Sequence, residues 1–501
     1  MTDRSPVRVC IVGTARRSWK DADGHAPEPL LMWEEVTRQA IADIGTTHDV
    51  IAELDHLGVV HTQSWDYDDP AARLAERLGA HPCSGTYSIL AGTSPQRLLN
   101  EAAAAMVRGE ISAAVVVGAE AQATVRRATA AGETLDWSHP HPSPARVTDL
   151  LSEWYLPTEL RHGVLPAWLT FALLSQARWA ARGGRAEDRR AMYEQMSRLS
   201  AVAGASEHAW YRTEHSAERL ATADAANRMI ATPFTKLTTA FPYVDMAAAN
   251  VLVTDEVADR WGVPADRRVH LRGWGFARDA SHIAARTDLT SSPAMRVAMG
   301  SATSMAGVEL EEIDLFDFYS CFGTAVQFAR DAAGLADDDP RPVSLTGGLP
   351  YHGGPGSNYM SHSISALVER LRAGDGRLGM VTGIGMHMTK HVAGIWSIDP
   401  GERPLSDSTA PLETVLPEAP DAFAVLDAVV GPVVVDAASA VHDASGAATS
   451  VTAICTTVEG ARCYARSEDP EVIEAVVEGR WVGLAASVVA GEDGINRLRF
   501  G

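Results

Sequence analysis

The side chains best suited to chemistry gather in two glycine-rich turns within 343–390. The first turn carries Tyr351 and His352 between the pairs Gly347, Gly348 and Gly353, Gly354. The second is Thr382-Gly383-Ile384-Gly385, followed by His387 and His391. An imidazole titrates near neutrality and can serve as acid, base or hydrogen-bond donor. Tyr319 adds a phenol at the end of the strand-like run 313–318. Each also has a plainer reading, Tyr319 as a packed aromatic and His352 as an exposed turn residue. His387 and His391 are four apart, but they lie in a turn-to-strand segment, so a metal pair is not expected. His139 and His141 flank Pro140 with no third ligand nearby. Gly383 and Gly385 lack the strand-to-helix context of a dinucleotide loop. The five cysteines are an odd number without zinc-like spacing. That pattern fits buried thiols in a reducing compartment, with Cys10 in the core of a strand.

The elements that must position these residues alternate. Apolar runs at 7–13, 51–60, 86–90 and 111–118 read as strands, with helical spacing at 29–44, 71–78 and 94–109. Pro95 stands at a first helical position, where its missing N–H does no harm. Alternation of this kind predicts a parallel or mixed sheet covered by helices. It stops at residue 120. From there to 245 the chain is polar, helix-prone and rich in tryptophan, and reads as a folded insertion or lid. A second round runs from 269 to 398, with a helix after Ser357 or Asn358 and a strand over 378–381. Composition changes at 400–420. Beyond it, short alternating runs separated by Gly and Asp turns predict a small antiparallel barrel.

Several motifs in order resemble the thiolase superfamily over residues 7 to 400. Leu90 to Gln96 stands where thiolases have C-x-S-G-x-Q, with Gln96 matching and Ala91 at the nucleophilic cysteine. Gly118-Ala119-Glu120 resembles G-G-x-E, and Asp245 to Ala249 resembles D-G-A-A-A. Tyr319-Ser320-Cys321-Phe322 stands at N-E-A-F or H-D-C-F. Gly354 stands at the histidine of G-H-P and Thr382 at the cysteine of C-x-G. Thiolysis needs a thiolate nucleophile, an acid/base partner and oxyanion donors. Ala91, Gly354 and Thr382 supply none of these, so ordinary thiolysis is not expected.

The chain therefore is similar to actinobacterial thiolase-like proteins that carry an additional β-barrel domain and lack the catalytic cysteines. The resemblance implies an α/β thiolase fold, layered αβαβα from two βαβαβαββ halves. A helical insertion and a C-terminal all-β antiparallel barrel complete it. The expected divisions are 1–119 with 246–265, 120–245, 266–402 and 403–501. The ligand implied is a coenzyme A thioester, with no bound cofactor and no metal. A second resemblance, to thiolase-fold retro-aldolases of steroid side-chain breakdown, rests on Tyr319 in Y-x-C-F. It implies carbon–carbon cleavage of a 3-hydroxyacyl-CoA, with Tyr319 as base and His352 or Tyr351 as acid. Tyr319, His352 and His387 are thus the expected site. A non-catalytic binder or scaffold and a divergent acyltransferase are the other readings.

A chain of 501 residues exceeds one ordinary core, so two or three domains are expected. The net charge of −21 argues against nucleic acid and anionic membrane, though helix N-termini can still hold phosphates. No run approaches a membrane span and no leader pattern is present, so a cytoplasmic monomer or homodimer is expected.

Overall fold

The computed structural model describes all residues except 1–6, 21–23, 81–82, 144–153, 337–338, 406–413 and 416–421. Part of the composition change at 400–420 therefore lies outside the described residues.

The first half contributes β1 (Val9–Ser18), β2 (His56–Val59), β3 (Ser84–Tyr87), β4 (Ala113–Ala121) and β7 (Asp245–Thr254). Between the last two lie β5 (Met229–Ala231) and β6 (Phe234–Thr235). The second half contributes β8 (Val269–Arg278), β9 (Leu315–Asp317), β10 (Leu378–Gly385) and β11 (Lys390–Ser397). The main sheet runs β3-β2-β4-β7-β1-β8-β11-β10-β9. In the first half β3, β2 and β4 are parallel, and β7 lies antiparallel between β4 and β1. The second half repeats this plan: β9 and β10 are parallel, and β11 lies antiparallel between β10 and β8. Among the described residues nothing takes the place of β3 there. The halves meet at β1 and β8 over only Cys10↔His270 and Ile11↔Val269.

Helix Pro29–Ile44 covers the outer face of the first half, and helix Pro293–Ala306 that of the second. Helices Ser94–Val107 and Tyr359–Arg372 touch each other and strands of both halves, forming the middle layer. Enclosure on both sides explains their composition. Helix Tyr359–Arg372 buries Ser361, His362, Ser363 and Ser365 as well as its apolar residues. Two of the three hydroxyls are satisfied inside: Ser363 donates to Asp317 at 2.6 Å, and Ser365 to the Ser361 carbonyl at 2.9 Å, while Ser361 Oγ has no partner in the described structure. Among the described residues no helix is long and apolar enough to cross a membrane.

The insertion holds helices Ala167–Ala181 and Ala186–Gly204 and the β5–β6 hairpin. The C-terminal part adds β12 (Thr414–Val415), β13 (Val425–Leu426), β14 (Gly431–His442), β15 (Ala448–Thr457), β16 (Arg462–Ser467), β17 (Ala486–Ala490) and β18 (Asn496–Phe500). Pairings β14–β15–β16–β18–β17–β14 close a five-stranded barrel, with helix Pro470–Val477 between β16 and β17. The barrel departs from the all-β antiparallel expectation in that helix and in the parallel contact of β16 with β18. Parity requires the second departure: a closed ring of five strands cannot alternate direction throughout. This strand order, with a helix after the third strand, is that of an OB-fold.

The barrel is wired into the rest. Tyr464 donates to Glu159 at 2.8 Å, and Glu159 also accepts from His282 at 2.9 Å, all three on different parts of the chain. Tyr464→Phe strands that buried carboxylate oxygen. It is expected to cost about 1–3 kcal/mol, read as a lower thermal midpoint. An unchanged midpoint would show that this contact does not hold the barrel on.

Candidate functional site

A cavity of about 410 Å³ opens where the two halves and the insertion meet. Ala91 and Gly92, at the mouth of helix Ser94–Val107, form one wall. Tyr319 and Cys321, after β9, form another, with Ile384 and Met386 at the end of β10. Gly354, Gly356 and Ser357 close the floor, and Trp168, Phe171 and Pro242 of the insertion form the roof.

Close backbone approach fixes this geometry. A Cβ on Gly92 would lie 2.6 Å from the Tyr319 hydroxyl and 2.3 Å from the Ile384 carbonyl oxygen, so only glycine fits. The phenol therefore lies beside the Ala91-Gly92 turn. The Tyr319 amide donates to Thr382 Oγ1 at 3.0 Å, and the ring meets Tyr359 edge-on at 5.4 Å. The Ala91 amide donates to Ser357 Oγ at 3.1 Å, which ties the helix mouth to the glycine turn.

Electrostatically the wall is neutral. Among the described residues it includes no carboxylate, imidazole, lysine or arginine. Burial pushes the Tyr319 phenol well above its ordinary range and the Cys321 thiol up as well. Tyr319 is thus a hydrogen-bond donor at neutral pH, and the depressed pKa required of a base is absent.

Scans of protein-family models and of curated proteins find no match. Among solved structures, the chain is similar to the crystal structure of a monomeric SCP2-thiolase-like protein type 1 from Mycobacterium smegmatis. The two are 27% identical with a TM-score of 0.83, covering 98% of this chain and 99% of that one. This chain has a thiolase-like fold. Within it, Ala91 and Gly354 line the cavity and Thr382 lies just beneath, holding the Tyr319 amide.

Of the three expected site residues, Tyr319 alone lines the cavity. His352 is fully buried off the wall, its Nε2 3.3 Å from His362 Nδ1 and its carbonyl accepting from Trp210 at 2.8 Å. Burial, with Arg16 and His208 nearby, holds its imidazole well below the usual range. The physical reason is what packs against the turn: Gly353 and Gly356, at φ of 108° and 51°, let it bend, and the contacts from Trp210 and His362 hold His352 inward while glycine backbone faces the ligand space. Tyr351 is buried too, its hydroxyl without a partner in the described structure. His387 links the β10–β11 turn to the insertion, 2.9 Å from Thr170 Oγ1 and 2.5 Å from the Tyr155 hydroxyl. His391 instead lies 3.3 Å from Asp279, a different partner from those of His387.

Gln63 escaped the sequence reading, and so did the role of Glu120. Gln63 brings an amide to the wall from the loop after β2, where nothing in the local pattern marks it. Glu120 is fully buried and accepts from the backbone N–H of Gln63 at 2.8 Å and from the Thr62 hydroxyl at 3.2 Å. Burial raises its carboxyl to about 7. It lies under Gly356, where a Cβ would come within 2.4 Å of Glu120 Oε1. Its place in a thiolase-like strand end was legible, but its support of the cavity floor was not.

Burial also holds His387 down, to about 4 from 6.5. Between those values the unfolded chain binds a proton that the folded chain refuses, so stability is complete above pH 6.5 and falls as pH drops toward 4. His387→Gln is expected to flatten that fall by up to one proton per chain, measured as the slope of thermal midpoint against pH. An unchanged slope would place the titration elsewhere.

Proposed function

We propose that this protein binds a coenzyme A thioester, with the acyl end in the cavity, and forms no acyl-enzyme. The observation that carries the reading is the wall itself. An alanine methyl stands at the helix mouth, a protonated phenol lies beside it, and the thiol on the wall, Cys321, is held in its protonated form by burial. A neutral, largely apolar space of this size suits an acyl chain, with Tyr319 and Gln63 as donors to a thioester carbonyl. Helix Ala167–Ala181 has no side-chain cap and no acidic residue in its first turn, and its Ala167 and Trp168 line the cavity. Its partial positive end favours the oxygen-rich part of such a ligand.

Retro-aldol cleavage is less favoured. It needs a base for the β-hydroxyl, whereas Tyr319 is pushed up and His352 lies off the wall. Binding without turnover is the reading the geometry favours over a lyase or a divergent acyltransferase.

Calorimetry with acetyl-CoA and longer acyl-CoAs tests this. Tyr319→Phe is expected to weaken binding about 5- to 10-fold, the worth of one hydrogen bond. Intact mass should show no adduct after incubation with acetyl-CoA. Absence of binding to every thioester, or an acetylated native chain, would overturn the proposal. Ala91→Cys provides a check on position. A thiol there should be alkylated by iodoacetamide and protected by acyl-CoA, while labelling that acyl-CoA does not slow would place the ligand elsewhere.

A further inference from the structure

Away from the cavity, at the seam between the halves, three donor atoms of different chemistry converge. Cys10 on β1 and His270 on β8 are register partners in the short pairing that joins the halves. Asp255, first residue of helix Asp255–Arg260, reaches both. Its Oδ1 is 3.6 Å from Cys10 Sγ and 3.0 Å from His270 Nε2, and the three ligand atoms all lie within 4.8 Å of one another. Tetrahedral zinc, with bonds of about 2.0–2.3 Å, holds its donors about 3.3–3.8 Å apart.

The surroundings match a ligand set as well. His270 Nδ1 lies 3.0 Å from the Ile398 carbonyl, an acceptor only. That contact places the ring proton on Nδ1 and aims Nε2 at Asp255, as second-layer contacts do for metal-binding imidazoles. Cys10 is fully buried and His270 nearly so, while the Asp255 side chain keeps 30% exposure and leaves a route for an ion and a water ligand. The neighbouring cations are already engaged. Arg268 pairs with Asp259 at 2.7 Å and reaches Asp255 only at 3.9 Å, and Arg372 pairs with Asp43 at 2.7 Å.

We propose that Cys10, Asp255 and His270 form a zinc site that clamps the two halves together, with water as the fourth ligand. Sulfur, imidazole nitrogen and carboxylate oxygen are a borderline donor set suited to zinc and unsuited to magnesium or calcium. Thiolate coordination forms the zinc–sulfur bond and releases the thiol proton to solvent. The cysteine spacing along the chain gave no hint of this, because Cys10 stands 245 residues from Asp255, its nearer partner in sequence.

The test uses the full chain, expressed with added zinc and passed over a chelating resin. About one zinc per chain is expected by elemental analysis, and Co²⁺ substitution should give a thiolate-to-cobalt absorption in the near ultraviolet. Cys10→Ser and His270→Gln should lose most of the zinc, and Cys10→Ser should lose the absorption. Cys83→Ser should keep both. Zinc should raise the thermal midpoint of the native chain and leave that of Cys10→Ser unchanged. Retention below about a tenth of an equivalent, no absorption with cobalt in the native chain, or equal zinc in Cys10→Ser overturns the proposal. Those results would leave the three residues as a hydrogen-bonded network only.

Discussion

Two helices enclosed on both sides by strands set the terms for the rest of the molecule. Ser94–Val107 and Tyr359–Arg372 have no solvent face over most of their length, so the polar groups they carry have only the protein to answer them, and Asn100 Nδ2 and Ser361 Oγ find no partner in the described structure. Asp317 answers Ser363 and the backbone of Leu345, and Thr14 and Asn250 answer Ser365. Small residues are needed wherever these helices meet a strand or turn. That is why glycine stands at Gly92 and Gly118, where a Cβ would collide with Tyr319 and with Asn358.

The cavity is a consequence of that packing. It forms where the start of one central helix, the glycine turn preceding the other and the ends of β9 and β10 converge under the insertion. Backbone rather than charged side chains makes up much of its floor. The space is accordingly neutral, and it selects a ligand by shape and a few hydrogen bonds. Ionisable groups near it act from behind. Glu120 supports the loop carrying Gln63, and the buried His352–His362 pair packs beneath the glycine turn.

The barrel takes part in this arrangement. Arg286 donates to the carbonyls of His387 and Met388, in a turn whose Met386 and Met388 have φ of 53° and 58°. Arg462 of the barrel donates in turn to the Arg286 and Ala284 carbonyls. Because Met386 lines the cavity, a strand of the barrel is two contacts from the ligand space. Left-handed backbone at a non-glycine residue is strained, and such strain persists where the surroundings hold it.

The sequence by itself determined the layered α/β class, the insertion, the strand-rich C-terminal part and the absence of a thiol at the mouth of helix Ser94–Val107. Those features are written in hydrophobic period, in proline and glycine placement and in ordered motifs, all local to the chain. Only the tertiary structure decided that Tyr319 faces the cavity while His352 and His387 do not. It also decided that Glu120 supports the floor, and that Cys10 meets a histidine and an aspartate from distant segments. Direction is not local: a glycine turn can carry its neighbour inward or outward, and the choice is made by what packs against it. For His352 the deciding contacts come from Trp210 and His362, one far away in the insertion and the other on the buried face of the next helix.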